Sequence, residues 1–189
     1  MIGRLPLALI VAGKEYPIRT DYRNILPILQ AANDPDCSPR EQLYIMLKRI
    51  YRDQLDAISK EHQEEAAKQA QWFIDCGRTD ENRKTPPVKL IDWEQDEPLI
   101  FPAVNRVAGA EIRCTPNVHW WTFMGYFMEV GGDGLLSTVL GIRQKMSKRK
   151  KLEKHEMEFY RNNKAMCDIK KRYSAEEQVE IDRYKKLFG

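Results

Sequence analysis

The side chains able to act as ligands, nucleophiles or proton carriers in this 189-residue chain are few and scattered. His62, His119 and His155 lie far apart. A helical zinc site needs two histidines one turn apart, as in HExxH, and His155-Glu156 lacks the second histidine four positions on. Cys37, Cys76, Cys114 and Cys167 are tens of residues from one another, and none pairs with a cysteine or histidine at zinc-ligand spacing. A chain of this size needs no covalent staple, so the four are expected as unlinked, reduced thiols. Asp92 and Asp96 would share one helix face at i, i+4, but with no third acid or histidine nearby they read as a helix cap and a surface charge. There is no Gly-rich phosphate loop, no nucleophile elbow and no His–Cys pair. Lys145-Met146-Ser147-Lys148-Arg149 has the look of a phosphate-handling lysine loop, which works only beside a nucleotide-binding Rossmann domain. The chain shows neither that domain's signature nor its strand–helix alternation. The expectation is a protein without catalysis, metal or cofactor.

Hydrophobic residues make up 42% of the chain and aromatics 10%, enough for a packed core and against wholesale disorder. No apolar run approaches the length of a membrane span. Met1 to Val11 is apolar but short, broken by Pro6, and lacks a small-residue cleavage site, so it is not read as a signal peptide. A soluble cytoplasmic protein is expected. The net charge of +3 is unevenly spread: residues 145–189 carry about +6 and the first 144 about −3.

Leu7 to Val11 and Tyr16 to Ile18 read as short strands around Gly13-Lys14, a hairpin that must lie on something to be stable. After it the patterning is helical. Asp21 precedes Ile25, Ile28 and Leu29 at helical spacing, and Asp34-Pro35-Asp36 ends that segment. Ser38, Pro39 and Glu41 form a helix start with a capping box, followed by the stripe Leu43, Met46, Leu47 and Ile50. Ser59 to Cys76 either continues this helix or forms another. Residues 77–89, rich in charge and proline, read as a flexible loop and the best internal division. Asp92 with Gln95 suggests another capping box, opening a helix with Trp93, Ile100, Val104 and Val107 that ends near Gly109 and kinks at Pro102.

Thr115-Pro116 is expected to cap the most apolar segment, Asn117 to Val130. Trp121, Met124 and Met128 line one side of it, and Trp120, Phe123 and Phe127 the next, so the helix should be central. Trp93, Trp120, Trp121, Phe123, Met124 and Phe127 are assigned to the core, although a ligand cage is the alternative for Trp120-Trp121. Gly131-Gly132 ends the segment and Asp133 should cap a short helix from Leu135 to Ile142. Two charged helices follow, Ser147 to Lys171 and Ser174 to Phe188, the second with a Ser174–Glu177 capping box. The predicted fold is therefore mainly α: a multi-helix bundle over residues 1–144 with a small N-terminal β-hairpin, and an extended charged helical region over 145–189. The run Lys148-Arg149-Lys150-Lys151 could neutralise phosphates, but it stands among Glu153, Glu156 and Glu158, which favours a solvated or partner-facing helix over nucleic acid.

Three stretches resemble the gene-product-fifteen family of siphophages and prophages of Gram-positive hosts. One is Asp92-Trp93-Glu94-Gln95-Asp96 with Ile100-Phe101-Pro102-Ala103-Val104 behind it. Another is His119-Trp120-Trp121-Thr122-Phe123, followed by Leu136 to Arg143 ending in Gly-Ile-Arg. The third is the opening Gly13-Lys14-Glu15-Tyr16-Pro17-Ile18-Arg19-Thr20-Asp21-Tyr22-Arg23, similar to the family's hairpin leading into a TDFR-like helix start. The resemblance covers most of the chain, apart from the linker and the last helix.

That resemblance implies a gene between those of the major tail protein and the tape measure, and hence a tail assembly chaperone. Such a protein would coat the aggregation-prone tape-measure chain in the host cytoplasm and leave before the virion matures. The implied partner is the tape-measure protein, with the major tail protein as a second candidate and self-association left open. Helix-in-groove contact would shield the partner's apolar stripes, and many copies would add avidity. The expected contact residues are Leu43, Met46, Leu47 and Ile50 on one helix, and Lys148, Arg149, Lys150 and Lys151 in the basic tail. The alternatives are a virion structural or connector protein, or a nucleic-acid-binding regulator using the basic tail.

Overall fold

A computed structural model of the chain describes residues 3–78 and 89–188. The fold is mainly α with a small N-terminal hairpin, as the patterning predicts. Strand β1 (Ala8–Val11) pairs antiparallel with β2 (Lys14–Pro17), placing Leu9 opposite Tyr16. Ala12 and Gly13 both take positive φ, the backbone of a type I′ turn, so the reversal falls one residue before Gly13-Lys14. Strand alternation turns Leu9, Val11 and Tyr16 inward. The hairpin rests on a helix further along the chain, Gln63–Ile74, whose Glu65 accepts from the Ala12 N–H at 3.1 Å.

Helices α1 (Tyr22–Ala31) and α2 (Pro39–Tyr51) begin where their caps predict. Asp21 accepts from the Arg23 N–H at 2.9 Å, and Ser38 and Glu41 exchange both bonds of the capping box. α1 buries Tyr22, Ile25 and Ile28 and continues through Pro27. α2 stops at Tyr51 because Arg52 turns to φ 54°, and the chain tightens into 3-10 turns at Arg52–Ala57 and Lys60–His62. Helix α3 (Gln63–Ile74) is thus separate from α2. The expected loop and division at 77–89 falls, between residues 79 and 88, outside the described residues.

Helix α4 (Glu97–Ala108) starts later than predicted. Asp92 accepts from the Glu94 and Gln95 N–H groups, but it caps only an isolated turn. Gln95 does not close the box; an Asp96 oxygen accepts from the Asp92 N–H instead, at 2.9 Å. Pro98 falls in the first helical turn, where its missing donor costs nothing, and the helix passes Pro102 to a left-handed Gly109.

Helix α5 (Trp120–Met128) is also shorter than expected, and its cap is His119 rather than Thr115. Val118 and His119 stay extended because they pair with the chain entering α1: the Tyr22 N–H reaches Val118 O at 3.1 Å, and the Trp120 N–H reaches Thr20 O at 2.6 Å. Helix α6 (Leu135–Ser147) takes Gly134 as its N-cap, with no side-chain bond from Asp133.

The single charged helix expected over 147–171 is interrupted. α6 closes in a Schellman motif with Arg149 left-handed: the Arg149 N–H donates to Met146 O at 3.0 Å and the Lys150 N–H to Lys145 O at 2.8 Å. Then follow α7 (Lys154–Asn162), with Glu153 and Glu156 as a capping box, and the single turn α8 (Lys164–Cys167). An extended run leads to α9 (Ala175–Phe188), whose predicted Ser174–Glu177 box is present.

The main core gathers the hairpin's inner face with α1 to α5 and Leu136 of α6. A smaller cluster of Val139, Ile142, Leu152 and Cys167 joins α6 to the segment after it. Residues 148–168 therefore fold back on α6, and the part of the tail whose apolar side chains Val179 and Leu187 stand exposed is α9.

Candidate interaction surfaces

The sequence motifs that could have carried chemistry turn out to hold helices together. In His119-Trp120-Trp121 the two indoles face the end of α3. Trp120 Nε1 donates to Ile74 O and Trp121 Nε1 to Phe73 O, each at 2.8 Å. These are carbonyls of the last helical turn, which has no intrahelical donor for them. His119 Nδ1 accepts from the Trp121 N–H at 3.0 Å, which leaves Nε2 as the nitrogen that donates to Pro6 O, also at 3.0 Å. One tripeptide thus ties α5, α3 and the strand lead-in together. Phe123 stacks on Tyr22 with centroids 4.7 Å apart, and Trp93 meets Phe127 at 5.2 Å.

Asp21 and Arg23 act similarly at the start of α1. Asp21 Oδ2 accepts from the Val118 N–H at 3.0 Å and pairs with Arg23 Nη1 at 2.9 Å. Arg23 Nη2 reaches the carbonyls of Ile112, Arg113 and Thr115 at 2.7–3.2 Å. A cap read locally as a helix start is also a clasp on a segment some ninety positions later.

Asp96 is not the surface charge expected, and Asp92, which does cap its turn, is buried with it. Asp96 receives Arg143 of α6 through two parallel bonds of 2.6 and 2.8 Å. The remaining donors of Arg143 go to Leu90 O, Cys167 O and Met166 O, each at 2.8 Å, so all five N–H groups are used. Asp92 takes Lys89 at 3.1 Å and Arg172 at 2.9 Å, besides the two N–H bonds of its turn. Burial opposes its ionisation, but the Gln95 N–H, Lys89 and Arg172 outweigh this and hold the carboxyl at about 2. Gln95 adds bonds to Asp168 O and from the Lys170 N–H. The DWEQD stretch is thus the anchor plate for residues 166–172. Among the described residues no buried side-chain polar atom lacks a partner, and no cluster of three His, Cys, Asp or Glu could hold a metal ion.

The residues assigned to the core are placed unequally. Trp120 and Phe123 are fully buried, whereas Trp93, Trp121, Met124 and Phe127 pack half-buried against the core. Met128 is exposed, so α5 is less central than its composition suggests.

The expected contact stripe of α2 divides along its length. Leu47 and Ile50 are 4% and 0% exposed and fill the main core, so Ile50 has no surface for a partner and Leu47 offers only a sliver at the floor of a groove; this corrects the expectation of a fully open stripe. Met46 packs against the same core, half-buried. Leu43 stays 43% exposed, and Tyr44, which the stripe did not include, 60%. Two grooves flank Tyr44, one floored by Leu43, Leu47, Leu55 and Ile58, the other by Pro27, Ala31 and Ile45. The signal for Tyr44 was available in its position beside Leu43, but a helical stripe does not say which half of a helix is covered. Lys148, Arg149, Lys150 and Lys151 are exposed on the α6–α7 turn rather than along a helix face. Lys145 below them is engaged by Glu156 at 2.6 Å. Other apolar exposure lies at Ile10 on the outer hairpin face and at Leu7 just before β1.

Among the described residues no helix is long and apolar enough to cross a membrane. All four cysteines are free; Cys167 is buried, Cys114 is exposed, and burial pushes the Cys76 thiol up to about 11. No curated protein and no solved structure gives a significant match to the chain. Residues 1–169, which include Asp21, the DWEQD stretch, His119-Trp120-Trp121 and Arg143 and stop short of α9, match the family described as Bacteriophage Gp15 protein, and the chain belongs to that family.

Proposed function

We propose that this protein is a non-catalytic tail assembly chaperone that binds helical segments of the phage tape-measure protein and assists construction of the tail tube. The observation that carries this reading is the exposed Leu43–Tyr44 end of α2, held out by a helix whose other half is locked into the core. The family's motif residues are consumed in bracing the fold, which leaves recognition to outer surfaces. An apolar ridge between two grooves suits helix-against-helix contact, and an unassembled tape measure exposes apolar helical stripes that need cover. Weak contacts repeated by many copies along one chain would add through avidity. The chaperone would work in the host cytoplasm, bring tail-tube subunits to the coated chain, and be absent from the finished virion.

Co-expression with a tape-measure fragment tests this directly. The fragment should become soluble and elute with the protein, and mass spectrometry of purified phage should find none of the chaperone. A fragment that stays insoluble and uncomplexed defeats the proposal, while stoichiometric copies in mature particles would make the protein a tail component instead.

A further inference from the structure

The charge around Tyr44 narrows what can lie there. The two grooves are rimmed by six cations, Arg19, Arg40, Lys48, Arg49, Arg52 and Lys60, against two anions, Asp53 and Asp56, an excess of four positive charges. Arg52 pairs with Asp53 at 3.1 Å, and Lys48 reaches Asp56 only at 3.9 Å. Among the described residues Arg19, Arg40, Arg49 and Lys60 have no carboxylate at ion-pair distance. The floor between them is apolar on both sides of the Tyr44 ridge.

We infer that this face of α2 takes an amphipathic helix whose apolar stripe is flanked by aspartate and glutamate. The inference rests on the chaperone reading and names the chemistry of the segment the chaperone would hold. An incoming stripe would pack into the grooves beside Tyr44, and flanking carboxylates would meet the unpaired cations, which sets orientation and speeds encounter. A helix with basic flanks would bring like charges together and be rejected. Single-stranded nucleic acid fits less well. Its binding sites present successive aromatic platforms above a polar groove, whereas here one exposed ring stands over aliphatic side chains.

The test uses the full chain and a designed amphipathic peptide with a leucine stripe and glutamate flanks, beside an isosteric peptide with lysine flanks. Fluorescence anisotropy should show the glutamate peptide binding at least about tenfold more tightly, with the difference shrinking as salt rises. Tyr44→Ala should weaken it about tenfold, and Arg49→Glu should weaken it while improving the lysine peptide. Both positions are exposed, and circular dichroism checks that both variants fold. Equal affinity for the two peptides, or binding indifferent to Tyr44 and Arg49, overturns the inference. Preference for a thymidine oligonucleotide over either peptide, or self-association abolished by Tyr44→Ala, overturns it too. If Tyr44→Ala still captures a tape-measure fragment fully, the docking face is wrong and the chaperone function stands. If the glutamate peptide binds while the wild-type protein captures no fragment, the face is right and the function is wrong.

Discussion

The guanidinium of Arg143 and the carboxylate of Asp96 meet through two parallel hydrogen bonds of 2.6 and 2.8 Å, with both side chains almost wholly out of solvent. They join α4 to α6, and the three remaining donors of Arg143 reach across to Leu90, Met166 and Cys167. Removing one partner strands the other charge in the interior. Asp96→Ala should cost about 3–5 kcal/mol in urea unfolding, well above the effect of an exposed pair such as Lys68–Glu64. A loss under about 1 kcal/mol would mean the pair is not buried as described.

Asp92 makes stability depend on acid. Its folded carboxyl titrates at about 2, below the ordinary value of 3.8, so its contribution is complete above the unfolded value and disappears as pH falls through the folded one. The size is about 2 kcal/mol. The stability difference between wild type and Asp92→Asn should be constant from neutrality down to about pH 5, then narrow between about pH 4 and 2. A difference that stays flat through that window would show that the carboxylate is not held by its cations.

The two halves of α2 should respond unequally to truncation. Leu47→Ala and Ile50→Ala each leave a cavity in the main core and should cost about 2–5 kcal/mol. Tyr44→Ala, at the exposed end, should stay within about 0.5 kcal/mol of wild type. Thermal denaturation of the three variants side by side checks the division.

Gly77 sits at φ +76°, and a Cβ there would come within 3.0 Å of Trp121 Cη2. The left-handed backbone and the contact with a ring fixed by its bond to Phe73 O act together. Gly77→Ala should destabilise by more than about 1 kcal/mol. It should also alter the tryptophan fluorescence, since Trp72 and Trp121 meet edge to face beside it. Unchanged stability would place the glycine away from the indole.

Local spacing was enough to reveal the hairpin, the mainly helical fold and the starts at Asp21, Ser38 and Ser174, because a cap or tight turn is settled among residues within about four positions of one another. The motif residues were visible too, but their work was not. Asp92 and Asp96 look like a cap and a surface charge until Arg143, forty-seven positions after Asp96, and Arg172, eighty positions after Asp92, close over them. His119 displaces Thr115 as a cap because the entry to α1 holds Val118 extended, a contact across nearly a hundred residues. Likewise the stripe from Leu43 to Ile50 shows one apolar face, while its burial depends on what stands opposite. The core covers Leu47 and Ile50, and Leu43 and Tyr44 reach past it. Periodicity reports which side chains share a face; only the packing of distant segments leaves part of that face open for a partner.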